Sequence, residues 1–192
     1  MLPAYLMTTS STSSISTTTD PWQMQRALMA ASDQHLPASP ELNKGVVLYA
    51  ALNLEELSET LKGLTSALNK VEDAPAGLGT IAALLGKVST DMHLASVQAR
   101  SVLEQVPNDF RAPVQREDLR EMADGTTDVT VTNSGFALSL GLDGARCYEE
   151  VAQSNLSKAN PDTGKIDKTP DGKWIKGRNY RGPDLDRVIF GD

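Results

Sequence analysis

The chain carries two acidic clusters, Glu55-Glu56-Leu57-Ser58-Glu59 and Glu121-Met122-Ala123-Asp124. In each, carboxylates stand three residues apart, so on a helix they share one face. Two such pairs facing each other across a helix bundle make an oxygen-only box. That is the donor set of a hard cation such as Mg²⁺, which keeps several waters and takes a few carboxylates plus substrate phosphates. A solvated charged face is the bland alternative. Against it, Leu48 and Leu52 precede the glutamates on the same side, so the helix is apolar nearly all round where the acids emerge. Acids on a buried face need cations.

Four further groups carry possible chemistry. Asn155 and Lys158, at i and i+3, put an amide and an ammonium where both can meet phosphate oxygens, although such a pair alone is commonly a surface cap. Asp128 shares a face with Glu121 and Asp124. It can join a further metal ion, accept from the N1–H and amino group of guanine, or simply pair with a nearby Thr or Lys. Lys176, Arg178 and Tyr180 are weaker phosphate candidates in a basic tail. Trp22 is expected as a core aromatic, with base stacking as the alternative.

Helices must position these groups. Asp20-Pro21 is a cap and first-position pair that opens a helix toward Gln34, stopping before Pro37. A second opens near Ser39-Pro40-Glu41 and runs to Asn69, with Leu54, Leu57, Leu61, Leu64 and Leu68 as its core stripe. Ile81 to Val106 reads as a third, after the break at Pro75-Ala76-Gly77-Leu78-Gly79. Arg116 to Leu140 mixes helical spacing with the strand propensity of Thr126 to Thr132. The stripe Leu119, Met122, Thr126, Val129, Asn133, Phe136 decides for helix. Asp143 caps a fifth, to Lys158. Turn signals around Lys165 to Lys168 and Lys173 to Lys176 make the tail a loop or small hairpin without a helix. Residues 1–19, largely Ser and Thr, form a disordered leader, residues 20–158 one helical domain, and residues 159–192 a basic tail completing the site.

Composition agrees with an all-α class: 5% of residues are aromatic while Leu and Ala abound. The net charge of −7 divides into −9 over residues 1–157 (10 basic, 19 acidic) and +2 over residues 158–192 (8 basic, 6 acidic). An acidic body argues against nucleic-acid binding, which needs clustered cations, and a short basic tail beside acids suits a small phosphate ligand. One cysteine, Cys147, excludes an internal disulfide and a Cys-rich zinc site. His35 and His93 fit no His-based hydrolase centre. The longest strongly apolar run, Gly45 to Leu54, is too short to span a membrane, so a cytoplasmic location is expected.

The EExxE pattern followed by ExxD resembles the MazG-like, all-α nucleoside triphosphate pyrophosphohydrolases. Ser154-Asn155-Leu156-Ser157-Lys158 and Lys176 to Leu185 resemble the phage-encoded branch, with Leu156 where an SNMSK-like pattern has Met. The likeness covers roughly Trp22 to Leu185, but only these motifs are specific. It implies that Glu56, Glu59, Glu121 and Asp124 bind two or more Mg²⁺ or Mn²⁺ ions and that Glu55 orients or deprotonates the attacking water. Asn155 and Lys158 would take phosphate, in a homo-oligomer, dimer or tetramer, acting in the host cytoplasm. The subfamily of that branch called MazZ acts on dGTP and GTP to feed synthesis of a modified purine, which makes guanine nucleotides the expected substrates and dCTP or dUTP the runners-up. A non-catalytic helical interaction protein is the rival class. Two departures stand out: 61 residues separate Glu59 from Glu121, and Asp128 stands where many relatives carry an aromatic residue.

Overall fold

The computed structural model describes residues 20–169 and 174–191. Within them are six helices and one two-stranded sheet: α1 Pro21–Ala31, β1 Leu42–Asn43, α2 Lys44–Leu68, α3 Leu78–Leu103, β2 Arg111–Ala112, α4 Arg116–Ser139, α5 Gly144–Leu156 and α6 Leu185–Phe190. The architecture is all-α. The expected leader, residues 1–19, lies outside the described residues. No described helix is long and apolar enough to cross a membrane.

An antiparallel hairpin of α2 and α3 dominates the packing. Its seam repeats every seven residues with small side chains, Ala51, Ser58 and Thr65 on α2 against Ala82, Ser89 and Ser96 on α3. Small residues let the backbones approach: Ser89 Oγ donates to the Ser58 carbonyl at 2.7 Å, and a Cβ at Gly86 would lie 3.4 Å from Thr65 Cγ2. The expected core stripe of α2 is therefore corrected. Leu54, Leu57, Leu61, Leu64 and Leu68 are only half-buried, because they flank the seam and, among the described residues, no third helix packs extensively on α2. On α3, Ile81, Val88 and Val102 stay exposed, so one face of the hairpin is apolar and open.

Two element boundaries also depart from expectation. Helix α2 opens at Lys44, three residues after Glu41, because Leu42 and Asn43 pair antiparallel with Ala112 and Arg111, and the Asn43 side chain caps the Val46 N–H. Helix α3 runs from Leu78 to Leu103, the left-handed Gly77 (φ 93°) preceding it and turn hydrogen bonds carrying the chain on to Val106. The ambiguous fourth segment is a helix throughout, its threonines returning their hydroxyls to carbonyls one turn back. It carries no buried residue.

Helices α1 and α5 pack on each other, with Tyr148 Oη donating to the Pro21 carbonyl at 2.9 Å. Tyr49 joins this layer to α2, donating to Gln34 Oε1 at 2.7 Å and accepting from Gln25 Nε2 at 2.9 Å. The tail contains an antiparallel bridge between Lys168 and Trp174, the kind of pairing a small hairpin makes, while residues 170–173 lie outside the described residues. Its end corrects the expectation of no helix: α6 is capped by Asp184, whose carboxylate accepts from the Arg187 N–H, and is closed by Gly191 at φ 81°.

The seam contains a built-in cost, since Ser96 Oγ is buried with no hydrogen-bond partner among the described residues. Ser96→Ala should raise stability by about 1 kcal/mol, while Ser89→Leu should lower it by several, as a wedge between touching backbones. Urea unfolding of both variants checks this, and equal shifts would deny the seam.

Candidate functional site

Helix α2 presents the three glutamates at its middle. Glu55 turns toward α3, where its carboxylate meets the Arg100 guanidinium at 3.2 Å. Glu56 and Glu59 lie beyond that pair, exposed. The Glu56 carboxyl is held above the ordinary glutamate range, first by burial, then by the like charges of Glu59 and Glu55, with the Lys158 ammonium opposing. The Lys158 ammonium, beyond the end of α5, is thus within electrostatic reach of Glu56 on α2 across a wide separation in sequence.

Lys158 is held for that position. Its Nζ donates to Asn155 Oδ1 at 2.7 Å and stands 5.4 Å from the centre of the Trp174 ring. The Gly177 N–H bonds the Lys158 carbonyl at 3.1 Å, and a Cβ at Gly177 would sit 2.7 Å from that oxygen. Only glycine lets the tail pass so close. Beyond it Lys176 Nζ lies 4.5 Å over the Tyr180 ring. Arg178 points outward and pairs with Asp162 at 2.8 Å, both largely in solvent. Ser154 and Ser157, part of the phosphate-like motif, instead hold the Arg181 backbone: Ser154 Oγ donates to its carbonyl at 2.8 Å and Ser157 Oγ accepts from its N–H at 3.0 Å.

Sequence reasoning missed the group that fixes this tail. Glu150 is 5% exposed and gathers three donors: the Asp184 N–H at 3.0 Å, Arg187 Nη2 at 2.9 Å, and Arg181 Nη1. The Asp184 N–H first, then the Arg181 guanidinium, hold its carboxyl below the ordinary range and outweigh the effect of burial. A signal was present: Glu150, Ser154 and Ser157 lie at i, i+4 and i+7, a polar row facing inward on α5.

The remaining candidates are not brought to this place. Glu121, Asp124 and Asp128 lie on the exposed length of α4, whose described packing is against α5 and is slight. Among the described residues no group of three or more His, Cys, Asp or Glu side chains is disposed to hold a metal ion. The expected four-carboxylate box is therefore not assembled within one chain, because α4 stands off from α2 across a cleft. Trp22 is 72% exposed, which corrects the expected core aromatic. Its backbone N–H completes the Asp20 cap at 3.0 Å.

Two pH effects follow. The lowered carboxyl of Glu150 gives stability that is present above the ordinary glutamate pKa of about 4.3 and is lost as pH falls through its own lower value. Glu150→Gln should cost about 2 kcal/mol at pH 7 and free the tail to proteolysis, with the deficit vanishing in strong acid. A variant tail as protected as the wild type would remove Glu150 as the anchor. Glu56 has the opposite sign: its raised carboxyl favours folding below its ordinary pKa, and that contribution disappears as pH rises through the raised value. Glu56→Gln should therefore raise the melting temperature at pH 7 but not at pH 3.5.

No protein-family model matches the chain, and no match is found among the curated proteins or the solved structures.

Proposed function

We propose that the chain is a MazG-like nucleoside triphosphate pyrophosphohydrolase. It would hydrolyse a (deoxy)nucleoside triphosphate, dGTP or GTP first, to the monophosphate and pyrophosphate, for phage nucleotide-pool editing or modified-purine synthesis. The observation that carries the reading is the crowding of Glu56 by the neighbouring Glu59 on α2, with the Lys158 ammonium near enough to oppose the rise of the Glu56 carboxyl. Such a pair gains from a hard cation, and all its donors are oxygens, which fits Mg²⁺ or Mn²⁺. Glu56 and Glu59 would hold it from α2, Glu121 and Asp124 from α4. When bound, two or more such ions would neutralise phosphate charge and lower the pKa of a bound water.

The chain's own residues bind and orient. Lys158, fixed by Asn155, takes a phosphate oxygen, and Lys176 with Tyr180 lies further along the same tail. Attack at the α-phosphorus breaks its bond to the bridging oxygen and releases pyrophosphate. Glu55 is engaged by Arg100, so acting on water requires it to loosen that pair. Asp128, an acceptor on the face of Glu121 and Asp124, suits guanine's two donors, which adenine cannot reproduce because its N1 is an acceptor. Exposed Trp22 is open to stacking on a base. The uncovered hairpin face supports a homo-oligomer.

The rival reading is a non-catalytic helical interaction protein, favoured by α4, which buries none of its residues. Steady-state rates on the eight common triphosphates separate the two. Pyrophosphate release should require Mg²⁺ or Mn²⁺, be fastest with dGTP and GTP, and vanish in Glu59→Ala and Asp124→Ala while stability shifts by no more than about 0.5 kcal/mol. Turnover that survives EDTA, or release of orthophosphate instead, would refute the mechanism. If Asp128→Asn leaves the guanine preference intact, Asp128 is not its reader.

A further inference from the structure

Four polar side chains along α5 and at its cap converge on a single residue of the tail, Arg181. Its Nη1 donates to Glu150 Oε1, and its Nη2 donates to Gln153 Oε1 at 3.0 Å. Its backbone is gripped in both senses, the carbonyl by the Ser154 hydroxyl and the N–H by Ser157 Oγ. These four residues stand at i, i+3, i+4 and i+7, so one face of the helix supplies every contact. The planar fork of an arginine suits two acceptors set side by side, and here both acceptors belong to the protein. A cation of the basic tail is thereby engaged inside the fold and not held out toward a ligand.

The two oxygens of Glu150 divide the tail into two arms. Oε1 accepts from Arg181 and from the Asp184 N–H, while Oε2 accepts from Arg187 Nη2 at 2.9 Å. Arg181 follows Tyr180 directly, and from it a chain of contacts runs back to both lysines. The Tyr180 N–H donates to the Gly177 carbonyl at 3.0 Å, the Gly177 N–H donates to the Lys158 carbonyl, Lys176 lies over the Tyr180 ring, and Trp174 lies beside the Lys158 ammonium. Arg187 sits within α6, and its contacts lead away from that segment, toward the exposed Phe190.

We propose that Arg181 is a positioning residue: locked onto α5, it holds segment 174–180 so that Lys158 and Lys176 keep their places against Trp174 and Tyr180 and are ready for a phosphate anion, whereas Arg187, on the same carboxylate, fastens only α6. That the anion is a phosphate rests on the reading under Proposed function; the positioning of the segment does not. The two arginines form an internal control. Both bond Glu150 and both guanidiniums are about half exposed. Loss of one positive charge, or of one partner of Glu150, is therefore common to both replacements, and any difference between them reports on the segment that Arg181 holds.

Two measurements on the full chain test this, in a Trp22→Phe background that leaves Trp174 as the single indole. Arg181→Ala should make Trp174 more open to acrylamide quenching and weaken inorganic pyrophosphate by about tenfold in titration calorimetry, the order expected when two long cationic side chains must be ordered anew on binding. Arg187→Ala should leave the quenching as it is and change the affinity by less than about twofold, as a surface replacement away from the site does. Arg181→Lys keeps the charge but cannot bridge Glu150 and Gln153 together, so it should lose most of the same affinity. It also carries the comparison should Arg181→Ala lack the helicity of the parent. Equal effects of the two alanine variants, or full affinity in Arg181→Lys, overturn the positioning role. A parent chain that binds no pyrophosphate counts against the phosphate reading, and the quenching of Trp174 in the arginine variants still decides whether Arg181 holds the segment.

Discussion

The close approach of α2 and α3 is the constraint on which the rest of the chain depends. These are the two long helices with extensive mutual packing, and the side chains that bury between them are mostly Ala and Ser. A seam of small residues gains little from apolar area, since stabilisation scales with area removed from water. It gains instead from dense contact between backbones and from the Ser89 and Arg100 bonds that cross it. Larger side chains are thereby displaced outward, to the flanks of the hairpin. The half-buried leucines of α2 and the exposed valines of α3 are a direct result of how the seam is made.

The same economy of core recurs elsewhere. Met24 and Leu28 bury one side of α1, Ile166 pins the tail beneath the end of that helix through its N–H to the Ala31 carbonyl, and much of the remaining order is polar. Glu150 substitutes for an apolar anchor. It is a buried acid with its charge met on several sides, the condition under which a buried carboxylate is tolerated, and removing its partners would leave it uncompensated.

Helix type and order were legible in the sequence because they rest on local signals. Asp20-Pro21, Asp143 and the 3.6-residue stripe of α4 each specify an element within a few residues. The threonine-rich run in α4 was the hardest case, and spacing prevailed over strand propensity there. What was not legible depends on partners distant in the chain. The start of α2 is set by strand pairing with Arg111–Ala112, and the leucine stripe looked like core because periodicity shows which face is apolar but not how closely another helix approaches. The meeting of Asn155 and Lys158 followed from their spacing. Glu150 was set apart from neighbouring Glu149 only by its row with Ser154 and Ser157, and the partners that fix its role, Arg181, Asp184 and Arg187, lie far along the chain.

Gly177 has a consequence for how a ligand would be met. By letting the tail lie against the Lys158 carbonyl, it joins the end of α5 and the segment from Trp174 to Tyr180 into one body, with Trp174 under one ammonium and Tyr180 under the other. The two lysines are thus preorganised. Long cationic side chains ordinarily surrender rotamer freedom when they engage an anion, of the order of 0.5–1.5 kcal/mol each. Here much of that freedom is already given up in the folded chain, so the entropic penalty falls on folding, and an anion reaching this place would meet cations whose positions are already set.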